Sequence, residues 1–88
     1  MTLYSLQTGI LIYQYTRLSI KKTYFIIAYD ISENNRLQRL QRLISNQFLQ
    51  LKYSVYYGHM TTKRMDSFII AMQNIIHPNE DDLRIYEV

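Results

Sequence analysis

Segments of period two alternate with segments of helical spacing along residues 24–88, and their order predicts an α+β fold on the ferredoxin-like plan, β-α-β-β-α-β, with an antiparallel sheet. Three observations carry this. A short run, Tyr24 to Ile31, is rich in aromatic and β-branched residues and gives way at once to Ser32, Glu33, Asn34 and Asn35, which are turn and helix-cap residues. Two later segments repeat apolar residues at steps of three and four, the spacing that lines one side of a helix. Between and after them lie alternating stretches that suit strands. Two helices cover only one face of such a sheet. The first strand is nevertheless apolar on both sides, with Tyr24, Ile26 and Ala28 on one and Phe25, Ile27 and Tyr29 on the other. The uncovered face is therefore expected to bury itself against a second, identical chain, giving a homodimer.

The elements follow in order. Residues 1–23 form an N-terminal extension. In it the apolar run at Gly9 to Tyr13 is too short to span a bilayer, and Arg17, Lys21 and Lys22 follow that run instead of preceding it as in a secretory signal. Export and membrane anchoring are thus excluded in favour of a cytoplasmic protein. The Ile10, Ile12 and Leu18, Ile20 pairs fit either an added edge strand or a flexible leader. The main domain, 24–88, opens with the Tyr24 strand. Leu37, Leu40, Leu43, Ile44 and Phe48 then place a helix at about Asn35 to Gln47. From Leu49 to Met60 the period is two, with Leu49, Leu51, Tyr53, Val55 and Tyr57 on one face and Gln50, Lys52, Ser54, Tyr56 and Gly58 on the other, in one long strand or two joined by a bend. Thr61 or Thr62 caps a second helix carrying Met65, Phe68, Ile69, Met72, Ile75 and Ile76, ended by Pro78. Asn79 to Asp82 makes an acidic turn, and Leu83 to Val88 a last strand.

Composition narrows the function. Eighty-eight residues hold one small domain with a modest core. The absence of cysteine removes disulfide, zinc-thiolate and cysteine-nucleophile chemistry and fits a reducing compartment. The net charge of +3 hides an asymmetry: residues 1–64 carry +7 and residues 65–88 carry −4. A basic body with an acidic tail is the footprint of a polyanion binder. Neither a Gly-rich phosphate loop nor a hydrolase triad is present.

Asp30, at the loop-facing end of a buried strand, is the leading functional candidate, because such a strand holds a side chain rigid while its tip meets solvent. A two-fold axis through the open face would bring two copies of it together to hold a divalent cation. Arg36, Arg39 and Arg42 recur every three residues along the first helix and start beside the Asp30 loop. A cation in the first turn opposes the helix dipole, which points Arg36 toward a ligand. The face with Lys52, Ser54 and Tyr56 suits phosphate contact or a wet dimer interface. His59 is a candidate general acid, whereas His77 reads as a helix-end residue. The carboxylates of the 79–82 turn suit a bound cation or, on the simpler reading, a solvated loop.

Three segments together resemble the CRISPR-associated endoribonuclease (Cas two) family, the small ferredoxin-like subunit of the spacer-acquisition machinery. They are Tyr29-Asp30-Ile31 closing the first strand, Tyr53-Ser54-Val55-Tyr56 in the centre, and Asp82-Leu83-Arg84-Ile85-Tyr86 near the end. The resemblance covers about three-quarters of the chain and leaves out the extension. It implies a homodimer with metal-dependent phosphodiesterase activity on RNA or DNA, assembling with the larger CRISPR integrase subunit during capture of foreign DNA. It also implies that Asp30 is the metal-binding aspartate, with Arg36 and Arg39 near family arginines and Ser54 and Tyr56 in the family's Ser-Val-Phe segment. Two departures stand out. Gln50 replaces an arginine found in some members, and the family's extra C-terminal edge strand has no counterpart after Val88, a place the extension is free to fill.

The expected mechanism uses Mg²⁺ or Mn²⁺, held by Asp30, to lower the pKa of an attacking water and neutralise phosphate charge. Arginines position the backbone. The alternative is a dimeric adaptor that holds duplex DNA while the integrase does the chemistry. A third reading is a ferredoxin-like regulatory domain for a small ligand.

Overall fold

The protein is described from a computed structural model, in which residues 2–7, 10–13 and 22–88 are defined. The elements are β1 (Thr2–Gln7), β2 (Ile10–Tyr13), β3 (Lys22–Asp30), α1 (Asn34–Ser45), β4 (Leu49–Lys52), β5 (Val55–Thr61), α2 (Thr62–Gln73) and β6 (Asp82–Glu87). All six strands join one antiparallel sheet in the order β2-β1-β6-β3-β5-β4. The sub-sheet β6-β3-β5-β4 with its two helices is the expected ferredoxin-like unit. In the N-terminal extension, the β1 backbone pairs with β6 through Tyr4↔Ile85, Ser5↔Arg84 and Leu6↔Leu83. Arg17, Leu18, Ile20 and Lys21 lie outside the described residues.

Strand alternation decides what each face sees. Phe25, Ile27 and Tyr29 of β3, Tyr56 and Met60 of β5, and Leu83 and Ile85 of β6 turn inward, where Leu40 and Ile44 of α1 and Met65, Phe68, Ile69 and Met72 of α2 close over them. Both helices therefore sit on one face. The other face presents Tyr24, Ile26, Ala28 and Asp30 from β3 beside Val55, Tyr57 and His59 from β5. Tyr24 stacks on Tyr57 with ring centroids 5.8 Å apart. Among the described residues, no helix is long and apolar enough to cross a membrane.

The helix boundaries have local causes. Glu33 caps α1, its carboxylate accepting from the backbone N–H groups of Asn35 at 3.0 Å and Arg36 at 2.9 Å. Thr61 caps α2 by accepting from the Arg64 N–H at 3.1 Å. That helix stops well before Pro78. Asn74 caps it, donating its N–H to the Ile70 carbonyl at 3.1 Å, and Ile75 and Ile76 pack from the following turn.

The alternating stretch from Leu49 divides at Tyr53 and Ser54 into a hairpin whose register shifts between Gln50 and Lys52. The shift breaks the expected polar face. Lys52 pairs with Val55, so it belongs to the open side, while Tyr56 and Gly58 face the helices. Gly58 is required there, since a Cβ at this position would lie 2.8 Å from the Phe48 ring, which itself stacks on Phe68.

Candidate functional site

Asp30 ends β3 on the open face and is exposed. Two bonds fix the backbone around it. The Tyr29 N–H donates to the Ser54 carbonyl at 3.2 Å, and the Ser32 N–H donates to the Asp81 carboxylate at 3.0 Å. In register with Asp30, directly across the ladder, stands Asp82 of β6. Opposed residues of an antiparallel pair have Cβ atoms about 4.5–5.5 Å apart, and like charges there repel. Asp82 keeps one oxygen, Oδ1, buried without a hydrogen-bond partner among the described residues. Its Oδ2 lies 3.3 Å from Nε of Arg84. Two carboxylates and a guanidinium thus meet at one end of the open face.

A clamp behind this end holds the two aspartate-bearing strands in place. The Asp81 side chain is fully buried and accepts from the Ser32 N–H and hydroxyl, from the His77 N–H at 2.7 Å, and from Nε of Arg36 at 2.8 Å. Burial alone raises its pKa, but the Arg36 guanidinium and the His77 and Ser32 N–H groups outweigh that and hold it below the ordinary carboxylate range. Arg36 also reaches Glu80 at 3.0 Å. The clamp ties the loop after Asp30 to the residue before Asp82.

This geometry redistributes the residues singled out in the sequence. Arg36 is not available for phosphate, because Asp81, Glu80 and the Ser32 hydroxyl occupy its guanidinium; its unfavourable place in the first helical turn is offset by these acids. Tyr56 is not a surface contact either. It is 2% exposed and its ring stacks on Tyr29 in the core. Ser54 is half-buried and contributes its carbonyl to the Tyr29 bond. His59 is exposed on the open face, edge-on to Tyr24, but it pairs with residue 24, six positions along the strand from Asp30. At about 3.3 Å per residue that is roughly 20 Å, too far for a general acid serving Asp30 of the same chain. Arg39 and Arg42 are exposed on α1, across the sheet from Asp30, whereas Lys52 shares Asp30's face in the row of Val55, Ala28 and Arg84.

In the sequence, Asp82 and Arg84 stand out only within the segment Asp82 to Tyr86 that carries the family resemblance, not as site residues. Asp82 looked like part of a solvated turn, and only the β3–β6 register opposes it to Asp30. The available signal was the alternation Asp82, Arg84, Tyr86, which puts all three on one side of a strand. Among the described residues no group of three or more His, Cys, Asp or Glu forms a ready-made metal cage.

Comparison with known proteins gives a consistent picture. A family model described as CRISPR associated protein Cas2 matches residues 23–88. The chain is similar to a protein of Thermodesulfovibrio yellowstonii called CRISPR-associated endoribonuclease Cas2 2, with 32% identity over 62 residues that span 70% of this chain and 68% of that protein. It is also similar to a Nitrosomonas europaea protein called CRISPR-associated endoribonuclease Cas2 1, with 36% identity over 62 residues spanning 70% of this chain and 59% of that protein. Among solved structures, a hypothetical protein from Thermus thermophilus matches with a TM-score of 0.74 at 24% identity, covering 77% of this chain and 83% of its own. A crystal structure of Cas2 matches with a TM-score of 0.69 at 21% identity, covering 76% and 75%. At these identities the two structures bear on the fold.

Proposed function

The chain belongs to the CRISPR associated protein Cas2 family, and from that premise we propose that it is a metal-dependent endonuclease cleaving RNA or DNA phosphodiesters, with Asp30 and Asp82 as its metal-binding pair. The names of the relatives support a nuclease role. The observation that carries the metal reading is the opposition of Asp30 and Asp82 with one Asp82 oxygen buried and unpartnered. Two hard carboxylates without a complete donor set fit Mg²⁺ or Mn²⁺. Mg²⁺ is commonly bound through one or two carboxylates, with water and substrate phosphate completing the octahedron. When bound, such an ion lowers the pKa of a coordinated water and offsets charge on the phosphate. In this reading Arg84, beside Asp82, binds a phosphate oxygen, and Lys52 adds an electrostatic contribution on the same face. The half-buried apolar set Ile26, Ala28, Val55 and Tyr57 supports a homodimer through the open face, which would bring a second Asp30 toward the first.

Asp30→Asn is expected to abolish Mg²⁺-dependent cleavage while dimerisation and duplex binding stay within about twofold of wild type. Asp82→Asn is expected to lower cleavage by about tenfold or more and to raise the Mg²⁺ concentration needed. Cleavage retained by rigorously purified Asp30→Asn protein would reject the catalytic role.

One observation favours a second reading, in which the protein takes part in acquisition of new spacers as an adaptor holding duplex DNA for the CRISPR integrase. The exposed Arg39 and Arg42 lie across the sheet from the acid pair, where they serve holding better than cutting. Spacer integration that survives Asp30→Asn would assign the biological role to the adaptor.

A further inference from the structure

Asp82, Arg84 and Tyr86 stand at alternate positions of β6 and so share the open face with Asp30. Asp82 opposes Asp30 across the ladder, where two carboxylates repel unless a cation lies beside them. Arg84 supplies that cation. Its Nε lies 3.3 Å from Oδ2 of Asp82, and both side chains are part-exposed, so the pair can separate without opening the core. Lys52, in the same row as Arg84, stands three strands away, roughly 14 Å at about 4.8 Å per strand. On the other side of Arg84, position 5 of β1 is a serine and brings no charge.

Arg84 has a second hold. Its guanidinium donates to the Tyr86 hydroxyl, and this bond, ahead of the negative charge of Asp82, keeps its pKa above the usual guanidinium range. Hydrogen bonding to Asp82 contributes less than either, so Asp82 holds Arg84 mainly by charge. A hold made by charge is the one that a competing charge undoes, whereas a bond to a neutral phenol survives it. The other carboxylate oxygen of Asp82, Oδ1, is buried and has no hydrogen-bond partner among the described residues.

We infer that Arg84 is the built-in counter-ion of the Asp30 and Asp82 pair, displaced toward Tyr86 when a divalent cation takes its place, and thus freed for an anionic oxygen only once that cation is bound. The inference rests on the metal reading of the two aspartates. A divalent ion on Asp82 and a guanidinium on the same carboxylate are like charges a few ångströms apart, and they repel. Tyr86 gives the displaced guanidinium a neutral partner on the same strand and face, so it is a positioning residue that acts on the metal site through Arg84. Cation and anion then assist each other's binding, since each favours the state in which Arg84 has left Asp82.

The test is a Mn²⁺ titration of the full chain read by electron paramagnetic resonance, with no nucleic acid present, so that cleavage plays no part. Arg84→Gln is expected to tighten Mn²⁺ binding about threefold or more, because the competing charge is gone, and Arg84→Met, which keeps the aliphatic stem, should do the same. Tyr86→Phe is expected to weaken Mn²⁺ binding about threefold, because Arg84 then has only Asp82 to hold it. Tyr86→Phe made in Arg84→Gln protein should change nothing further, a non-additivity that a merely structural tyrosine would not show. Mn²⁺ affinity unmoved or weakened by both Arg84→Gln and Arg84→Met would overturn the inference, as would a Tyr86→Phe substitution that leaves it untouched or weakens it equally with and without Arg84. Failure of the metal reading shows differently: wild type then binds no Mn²⁺, or binds it equally well after Asp30→Asn, and the counter-ion role falls with it.

Discussion

Asp81 is the residue whose loss the fold should feel most. It is fully buried at the side chain and serves Arg36, Ser32 and His77 at once, so truncating it leaves a half-buried guanidinium and two backbone donors without their acceptor. Breaking a buried pair costs about 3–5 kcal/mol, and because Arg36 retains some solvent and Glu80, Asp81→Ala is expected at the low end, about 3 kcal/mol by denaturant unfolding. The pH dependence follows from the direction of the shift. A carboxyl held below its ordinary value stabilises the folded state above about pH 4 and loses that contribution as pH falls through the folded value. Wild type should therefore destabilise on acidification below about pH 4, and Asp81→Asn should show a shallower acid limb in melting temperature. Gly58→Ala tests the opposite error, overpacking. The new methyl meets the Phe48 ring and backbone, and a loss of about 1–3 kcal/mol is expected. Neither position was legible in advance: Asp81 looked like one of several loop acids, and Gly58 only like a member of an alternating strand.

At the scale of elements, α1, α2 and the strands of residues 24–88 were legible because their apolar periods are regular, and the ends were not. Glu33 caps α1 although the usual capping residues Ser32, Asn34 and Asn35 surround it. The hairpin turn at Tyr53 and Ser54 carries no Gly, Pro or Asn to mark where the strand reverses, and the register shift between Gln50 and Lys52, equally unmarked, moves Lys52 off the side it was assigned with Tyr56. Thr61→Ala should lower stability by about 1 kcal/mol through the lost cap on α2, read as a shift in denaturation midpoint at constant slope. The outer strand β4 carries Leu49 at 67%, Leu51 at 53% and the adjoining Tyr53 at 69% exposed. An apolar edge invites pairing with other chains. Leu51→Lys should reduce concentration-dependent aggregation while changing stability by no more than about 0.5 kcal/mol.

For the whole molecule, the class of fold was readable, since it depends on periodicities of residues close in sequence and on their order along the chain. The opposition of Asp30 to Asp82, the Arg36–Asp81 clamp and the distance separating His59 from Asp30 depend on strand register across dozens of residues, which no local pattern encodes. The same long-range pairing sets the order of assembly. β6 is inserted between β3 and β1, so the most N-terminal and the earlier inner strands of the sheet meet only through a segment made after all of them. During translation, a nascent chain lacking Asp82–Glu87 must carry β1 and β3 with open edges and Asp30 without its counterpart. Closure of the sheet, and with it the arrangement of acids, is thereby deferred until synthesis has passed β6, and ribosome-held intermediates stalled before it should be protease-sensitive where the released protein is not.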